Sequence, residues 1–290
     1  MGNTAPIENV QTLTNPIIKP KKKSFWRIFV IKNIDDSLMI LSILAIVGGM
    51  LEVYTFATHN GIFCTGQNGN IVLLLLRSFN INDDLILIGR STPWWGYLIT
   101  ISSFMAGVII AVIIERIFLT SKSRTFMWRS MILTFQIGIL IGCSFIPAHV
   151  AQQNWELNDV IAASLIAFSC ALQMSVFKTA RGMVISTTLM TANTRTFAEA
   201  FTKCIVYNDR HEKKLNFIKV IIYGQILLFF LIGVTLMALF LKFFPQGHKQ
   251  YAIYACVGFL LIVQVIYTIK HEVDRKKAKA RMLATSVIVR

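Results

Sequence analysis

The stretch "GIFCTGQNGNIVLLLL", residues 61 to 76, opens with glycines, amides and a threonine and closes in unbroken isoleucine, valine and leucine. Its reading decides the fold, because it lies between long apolar runs and yet carries Gln67, Asn68, Gly69 and Asn70 near its centre. The whole chain is 55% hydrophobic and only 15% charged, whereas soluble domains carry roughly 25% charged residues. That balance predicts an integral membrane protein. A polar, glycine-containing break in such a chain must be buried in protein or line a wet cavity, since backbone N–H and C=O groups left unpaired in lipid cost several kcal/mol each.

Six stretches are apolar over the roughly 20 residues a span needs: about 37 to 56, 94 to 118, 130 to 147, 158 to 177, 216 to 242 and 251 to 269. Two more, 61 to 79 and 182 to 206, are apolar but interrupted. These two either cross fully, giving eight crossings, or enter and leave on one side. Basic residues favour the second course, because cytoplasmic loops are enriched in them. With six spans and both termini cytoplasmic, only Arg77, Arg90, Lys242 and Lys249 of the 29 lysines and arginines fall outside. The loop "HVAQQNWELND" then has no basic residue on the outer face. Trp94, Trp95, Trp128 and Trp155 stand at span ends, where an aromatic belt forms.

The sequence also matches itself. "EVYTFATHNG" (52 to 61) aligns with "QMSVFKTARG" (173 to 182), pairing Phe56 with Phe177, Gly61 with Gly182 and Glu52 with Gln173. "QNGN" ending at Asn70 then corresponds to "MTAN" ending at Asn193, and "SFMAGV" to "FFLIGV", which aligns Gly107 with Gly233. The shift is 121 at the first glycine pair and 126 at the second. An internal duplication with three spans per copy reverses the second copy in the bilayer, the inverted-repeat plan of many secondary transporters. The expected architecture is all-α and polytopic: six transmembrane helices plus two broken, re-entrant elements in an inverted 3+3 repeat. Its parts are a cytoplasmic tail (1–35), a first membrane repeat (36–148), an inverted second repeat (157–270) and a basic cytoplasmic tail (271–290).

In this plan "GIFCTGQ" is a short extended piece and "NIVLLLLRSF" a half-helix capped by Asn68 or Asn70. The second copy offers "GMVISTT" and a half-helix opening near Thr191 or Asn193. Two half-helix N-termini then turn unpaired N–H groups and a positive dipole end toward the interior, which favours an anion or a carboxylate. The candidate substrate-binding residues are Glu52, Gln67, Asn68, Asn70, Gln173, Thr191 and Asn193. Glu52 is the carboxylate well inside an apolar run, a functional position by default, although it could also reach water or cap the broken segment. The amides and threonine could equally serve to pair the broken backbone, and Gln173 to join helices.

Other chemistry is not signalled. The +15 net charge comes from residues between apolar runs, facing anionic lipid, so membrane lipids are partners and nucleic acid is not. Cys64, Cys143, Cys170, Cys204 and Cys256 form no CxxC pair and the five histidines no HxxxH spacing, so neither a metal nor another cofactor is expected, and no enzyme constellation emerges. The N-terminal residues carry no apolar core of a cleavable signal, and Pro6 stands where a myristoylation motif wants Ser or Thr. Small-residue faces at Gly96 to Gly107 and Gly224 to Gly233 fit within-chain packing and a homo-oligomer alike.

The motifs "GGMLEVYTF" (48 to 56), "GIFCTGQNGNIVLL" (61 to 74), "CALQMSVF" (170 to 177) and "TTLMTAN" (187 to 193) resemble those of the YoaK-like family of bacterial integral membrane proteins, a domain of unknown function, over about residues 36 to 270. Glu52 stands where that family usually has Asp, Asn68 where it has Thr and Ala192 where it has Gly. The resemblance implies a bacterial inner membrane location and no settled substrate. The functional expectation is a small secondary transporter or permease, its small substrate, an anion by preference, held between two half-helix N-termini at the membrane midplane. An ion channel and a non-transporting, lipid-interacting scaffold are the alternatives.

Overall fold

The computed structural model describes residues 38–79, 92–118, 122–147, 156–180 and 182–288; the expected tail over 1–35, Arg90 and Trp155 lie outside them. Eight α-helices are formed among the described residues: α1 (Leu38–Thr58), α2 (Gln67–Ser78), α3 (Trp94–Phe118), α4 (Lys122–Cys143), α5 (Leu157–Val176), α6 (Met190–Val206), α7 (Arg210–Phe243) and α8 (Ile253–Ile288). Six of them are long and apolar enough to cross a membrane, and they coincide with the six uninterrupted stretches of the sequence. The chain is an all-α polytopic membrane protein.

Hydroxyls within the spans are satisfied locally, as an apolar surround requires. Ser42 donates to the Leu38 carbonyl at 2.8 Å, Thr55 to Leu51 at 3.1 Å and Thr58 to Tyr54 at 2.6 Å. The polar start of α7 is fixed by Asp209, whose carboxylate accepts from the backbone N–H groups of His211 and Glu212 at 3.2 and 3.3 Å. α7 runs for 34 residues, about 51 Å at 1.5 Å per residue. That exceeds a hydrocarbon core of about 30 Å, so its basic first turns project beyond the bilayer. α8, with 36 residues, likewise carries its helix through the basic segment expected as a tail.

The helices of the two broken elements are not among the six long enough to cross. α2 has 12 residues, about 18 Å, and residues 59 to 66 fold back along α1 before it starts. Its Leu73 and Leu74, like Trp95 of α3, pack against a buried cluster of Ile62, Tyr97, Val160 and Ala163. Thr92, just ahead of α3, donates to the carbonyl of Asn60, just past α1. The chain therefore enters and leaves at the same end of α1. At the other face, α5 is followed by a two-stranded hairpin, β1 (Thr179–Ala180) paired antiparallel with β2 (Met183–Val184), after which the chain folds back along α5 into α6. An extended piece thus forms ahead of α6 only; residues 61 to 66, ahead of α2, are an irregular turn.

α1 and α5 are the most buried spans and form the centre. α1 packs along α7 and α5 along α3, while α2 rests on α3 and α6 on α7. α4 touches α5, α8 touches α1, and α4 meets α8. Exchanging α1–α4 with α5–α8 leaves these partnerships unchanged. The end of α1 also meets the start of α5, where His59 bonds Asp159, so the two central helices run in opposite directions.

The aligned glycines sit at the two tightest crossings. A Cβ on Gly233 would strike the carbonyl of Ile46 in α1, and one on Gly107 would lie 2.6 Å from the carbonyl of Phe168 in α5. Only a residue without Cβ allows backbones to approach so closely.

Candidate functional site

The first re-entrant tip is built around Glu52. Asn60 and Gly61 take positive φ of 50° and 75°, reversing the chain so that it returns along α1. Phe63 stacks on Phe56 with ring centroids 4.7 Å apart. The Glu52 carboxylate then sits directly over the start of α2. One oxygen accepts from the Thr65 N–H at 2.9 Å, the Thr65 hydroxyl at 2.5 Å and the Cys64 thiol at 3.3 Å. The other accepts from the Gly66 N–H at 2.9 Å. Gly66 is the N-cap of α2 and has no side chain to cap with. Glu52 supplies the anion that a helix N-terminus favours.

Asn70 holds the tip from the other side. Its amide oxygen accepts from the Phe63 N–H at 3.0 Å and its nitrogen donates to the Phe63 carbonyl at 2.7 Å. The same nitrogen donates to Gln67 Oε1 at 2.9 Å, and Gln67 Nε2 donates to the Cys64 carbonyl at 3.0 Å. Neither Asn68 nor Asn70 is the cap. The helix begins at Gln67, and Asn70, one turn in, clamps the loop instead.

The second tip repeats this clamp. Gly182 has φ 75°, and Asn193 accepts from the Ser186 N–H at 3.3 Å while donating to the Ser186 carbonyl at 2.6 Å. The clamp spans seven residues at both tips. The charge does not repeat. Gln173 is buried, and neither its amide nitrogen nor its amide oxygen has a hydrogen-bond partner. The buried Thr187 hydroxyl is also unbonded. Thr188 donates to the Met174 thioether at 3.1 Å and the Leu189 N–H to the Ser186 hydroxyl at 2.8 Å. Leu189 is the N-cap of α6 and no side chain caps its first turn.

Both tips reach the middle of the protein. The Thr187 carbonyl would lie 2.8 Å from a Cβ on Gly48, about 15 Å along an α1 helix of about 31 Å. Glu52, which holds the first tip, is one turn further on. Of the seven candidates, Glu52, Gln67 and Asn70 form one network, Asn193 closes its counterpart, and Gln173 is buried in α5 without a hydrogen-bond partner. Asn68 and Thr191 lie on exposed faces of α2 and α6 and join neither network. Among the described residues, no three His, Cys, Asp or Glu side chains gather as metal ligands.

One buried polar cluster escaped the sequence reading. His59 Nδ1 lies 3.1 Å from Asp159 Oδ1 and Asn60 Nδ2 donates to Asp159 Oδ2 at 2.8 Å. All three are buried, and the cluster ties the end of α1 to the start of α5. Asp159 stands at the edge of an apolar run next to Asn158 and Glu156, where it reads as a loop residue; burial of the helix start is what makes it otherwise.

No curated protein and no solved structure matches this chain. A family model described as "Protein of unknown function (DUF1275)" matches residues 40–266, a range that runs from α1 into the first part of α8 and takes in both re-entrant tips. The match agrees with the YoaK-like motifs around Glu52, Asn70 and Asn193, and the chain belongs to this family of proteins of unknown function.

Proposed function

We propose that the protein is a small secondary transporter of the bacterial inner membrane, built as an inverted repeat, with its substrate held between the tips of α2 and α6. The observation that carries the reading is the convergence of two re-entrant tips along α1, the second with the buried, unpartnered hydroxyl of Thr187. A buried polar group without a partner costs about 1–3 kcal/mol, a cost a bound solute removes. The reversed α1 and α5, the equal clamps at Asn70 and Asn193 and the exchangeable helix partnerships support an inverted duplication, the setting in which discontinuous helices line transport sites. The glycine crossings of α1 on α7 and α3 on α5 give close, smooth contacts along which one repeat can move against the other.

The clustering of lysines and arginines on the side of α7's first turns and α8's end supports cytoplasmic termini. The ligand moves without chemical change in this reading. Its test is flux into proteoliposomes of radiolabelled small solutes. Saturable uptake lost in folded Asn70→Ala and Asn193→Ala variants supports a transporter. Flux that rises without saturation makes the same path a channel, and absence of flux for every solute overturns the reading.

A further inference from the structure

The central helices α1 and α5 meet in a buried acid–base pair that lies apart from the two tips. Among the described residues, Asp159 is the one buried carboxylate and His59 the one buried imidazole. Asp159 Oδ1 lies 3.1 Å from His59 Nδ1, and Oδ2 accepts from Asn60 Nδ2 at 2.8 Å. An ionised carboxylate only accepts, so Nδ1 carries a hydrogen. His59 Nε2, on the other side of the ring, is buried and has no hydrogen-bond partner. With Nε2 bare, the pair holds one net negative charge in a water-poor interior, and a proton on Nε2 makes it neutral overall.

The surroundings leave that proton to the pair. Tyr54 of α1 lies edge-on to the His59 ring, with centroids 5.4 Å apart, and donates its hydroxyl to the Gln250 carbonyl at 3.3 Å. Cys143 of α4 and Cys256 of α8 are within electrostatic reach of Tyr54, and Tyr97 of α3 clusters with Val160 of α5. Phenols and thiols are neutral near pH 7. The charged groups stand further out: Arg77 of α2, whose charge reaches Tyr97, and His248 and Lys249 in the 3-10 turn Gln246–Ala252. Glu156 is exposed one turn ahead of Asp159, and its N–H lies 3.4 Å from Asp159 Oδ2. It marks a short way in from water.

We propose that His59 and Asp159 bind the proton that drives transport. The inference rests on the transporter reading and names its coupling ion. His59 follows the last residue of α1 and Asp159 lies in the first turn of α5, so movement of one repeat against the other parts them. Without an added proton, parting leaves a buried, uncompensated carboxylate. With one, the pair separates as neutral groups. A proton from the outer water adds to His59 Nε2, and as the helices part the Nδ1 proton passes to Asp159 Oδ1, which leaves a neutral imidazole and a neutral acid. Loss of the acid proton to the cytoplasmic side, and return of the imidazole hydrogen to Nδ1, restore the starting pair.

The test is uptake of radiolabelled succinate, alanine, glucose, phosphate and sulfate into proteoliposomes of the full-length protein that enclose a pH-sensitive dye, with and without an acid-outside gradient. The expected result is that entry of the transported solute acidifies the interior. At one proton per neutral solute, each pH unit of gradient supports about tenfold accumulation. In His59→Gln and in Asp159→Asn the interior pH stays constant, and the uptake that remains is the same with and without the gradient. Either variant serves where the other does not fold, and the wild-type dye signal decides where neither does. Saturable uptake that moves no protons, or gradient-driven uptake that persists in a folded variant, overturns the inference while the transporter reading stands. If no solute moves, that reading falls, and ring nitrogen-15 spectra of histidine-labelled protein in detergent decide the proton site, with the His59 signals assigned by their loss in His59→Gln. Gain of one proton at Nε2 as the pH is lowered, with the fold retained, sustains the site, and a ring unchanged over that range overturns it.

Discussion

Glu52→Ala tests how the first tip is held. The Glu52 carboxylate accepts from the N–H groups of Thr65 and Gly66, each at 2.9 Å, and from the Thr65 hydroxyl. Removing it leaves two backbone donors in a water-poor interior, where an orphaned donor costs about 1–3 kcal/mol. The hydroxyl can turn to another acceptor, so the backbone groups set the scale: a loss of about 4 kcal/mol. At about 2–4 °C per kcal/mol for a chain of this size, the unfolding temperature falls on the order of 10 °C. Glu52→Gln keeps one acceptor oxygen and turns an NH₂ toward the other donor, so about half that fall is expected. A thiol-reactive dye is a suitable readout, because Cys64, Cys143, Cys170 and Cys256 are free and buried until the helices part. An Ala variant melting within about 2 °C of the wild type, well below the shift the lost bonds require, would refute the view that this carboxylate holds the tip.

The clamps predict a matched pair: Asn70→Ala and Asn193→Ala each break two bonds to one loop residue and each lose about 2 kcal/mol in thermal unfolding, whereas unequal losses would contradict their equivalence. Gly107→Leu and Gly233→Leu drive a side chain into a facing carbonyl and abolish the folded yield by size-exclusion chromatography, while Gly138→Ala, with no atom within 4 Å of its added Cβ, leaves it unchanged. Asp159→Ala strips the buried His59 and Asn60 of their acceptor and costs about 3–5 kcal/mol. Since the pair is buried, that loss should be the same in low and high salt.

The spans were legible because lipid permits so little: a continuous apolar run of about 20 residues has one stable form. The broken segments were legible as breaks for the same reason, and Gly61 with Gly182 and Asn70 with Asn193 marked corresponding points because the glycines turn the chain at positive φ and the asparagines clamp the loop seven residues back. What composition could not carry was the contents of each tip. Whether Glu52 caps the loop or meets a substrate depends on where Thr65 and Gly66 return, and that is set by a turn at Asn60 and Gly61. Asn68 and Thr191, one position into each half-helix, could not be told from inward-facing residues until the helix starts were fixed at Gln67 and Met190. The Asp159 cluster joins residues a hundred positions apart in sequence, and such a pairing leaves no local signal.

The central claim is that the two broken helices enter from opposite faces to meet within the membrane. Its most direct test is labelling of single cysteines, Phe79→Cys just past α2 and Tyr207→Cys just past α6, with a membrane-impermeant thiol reagent in sealed vesicles of known orientation, on a cysteine-free background. Re-entrant tips place Phe79 and Tyr207 on opposite faces, so one variant should label only from outside and the other only after the vesicles are opened. If both segments crossed the membrane, the two positions would share a face, and labelling of both from one side would contradict the account.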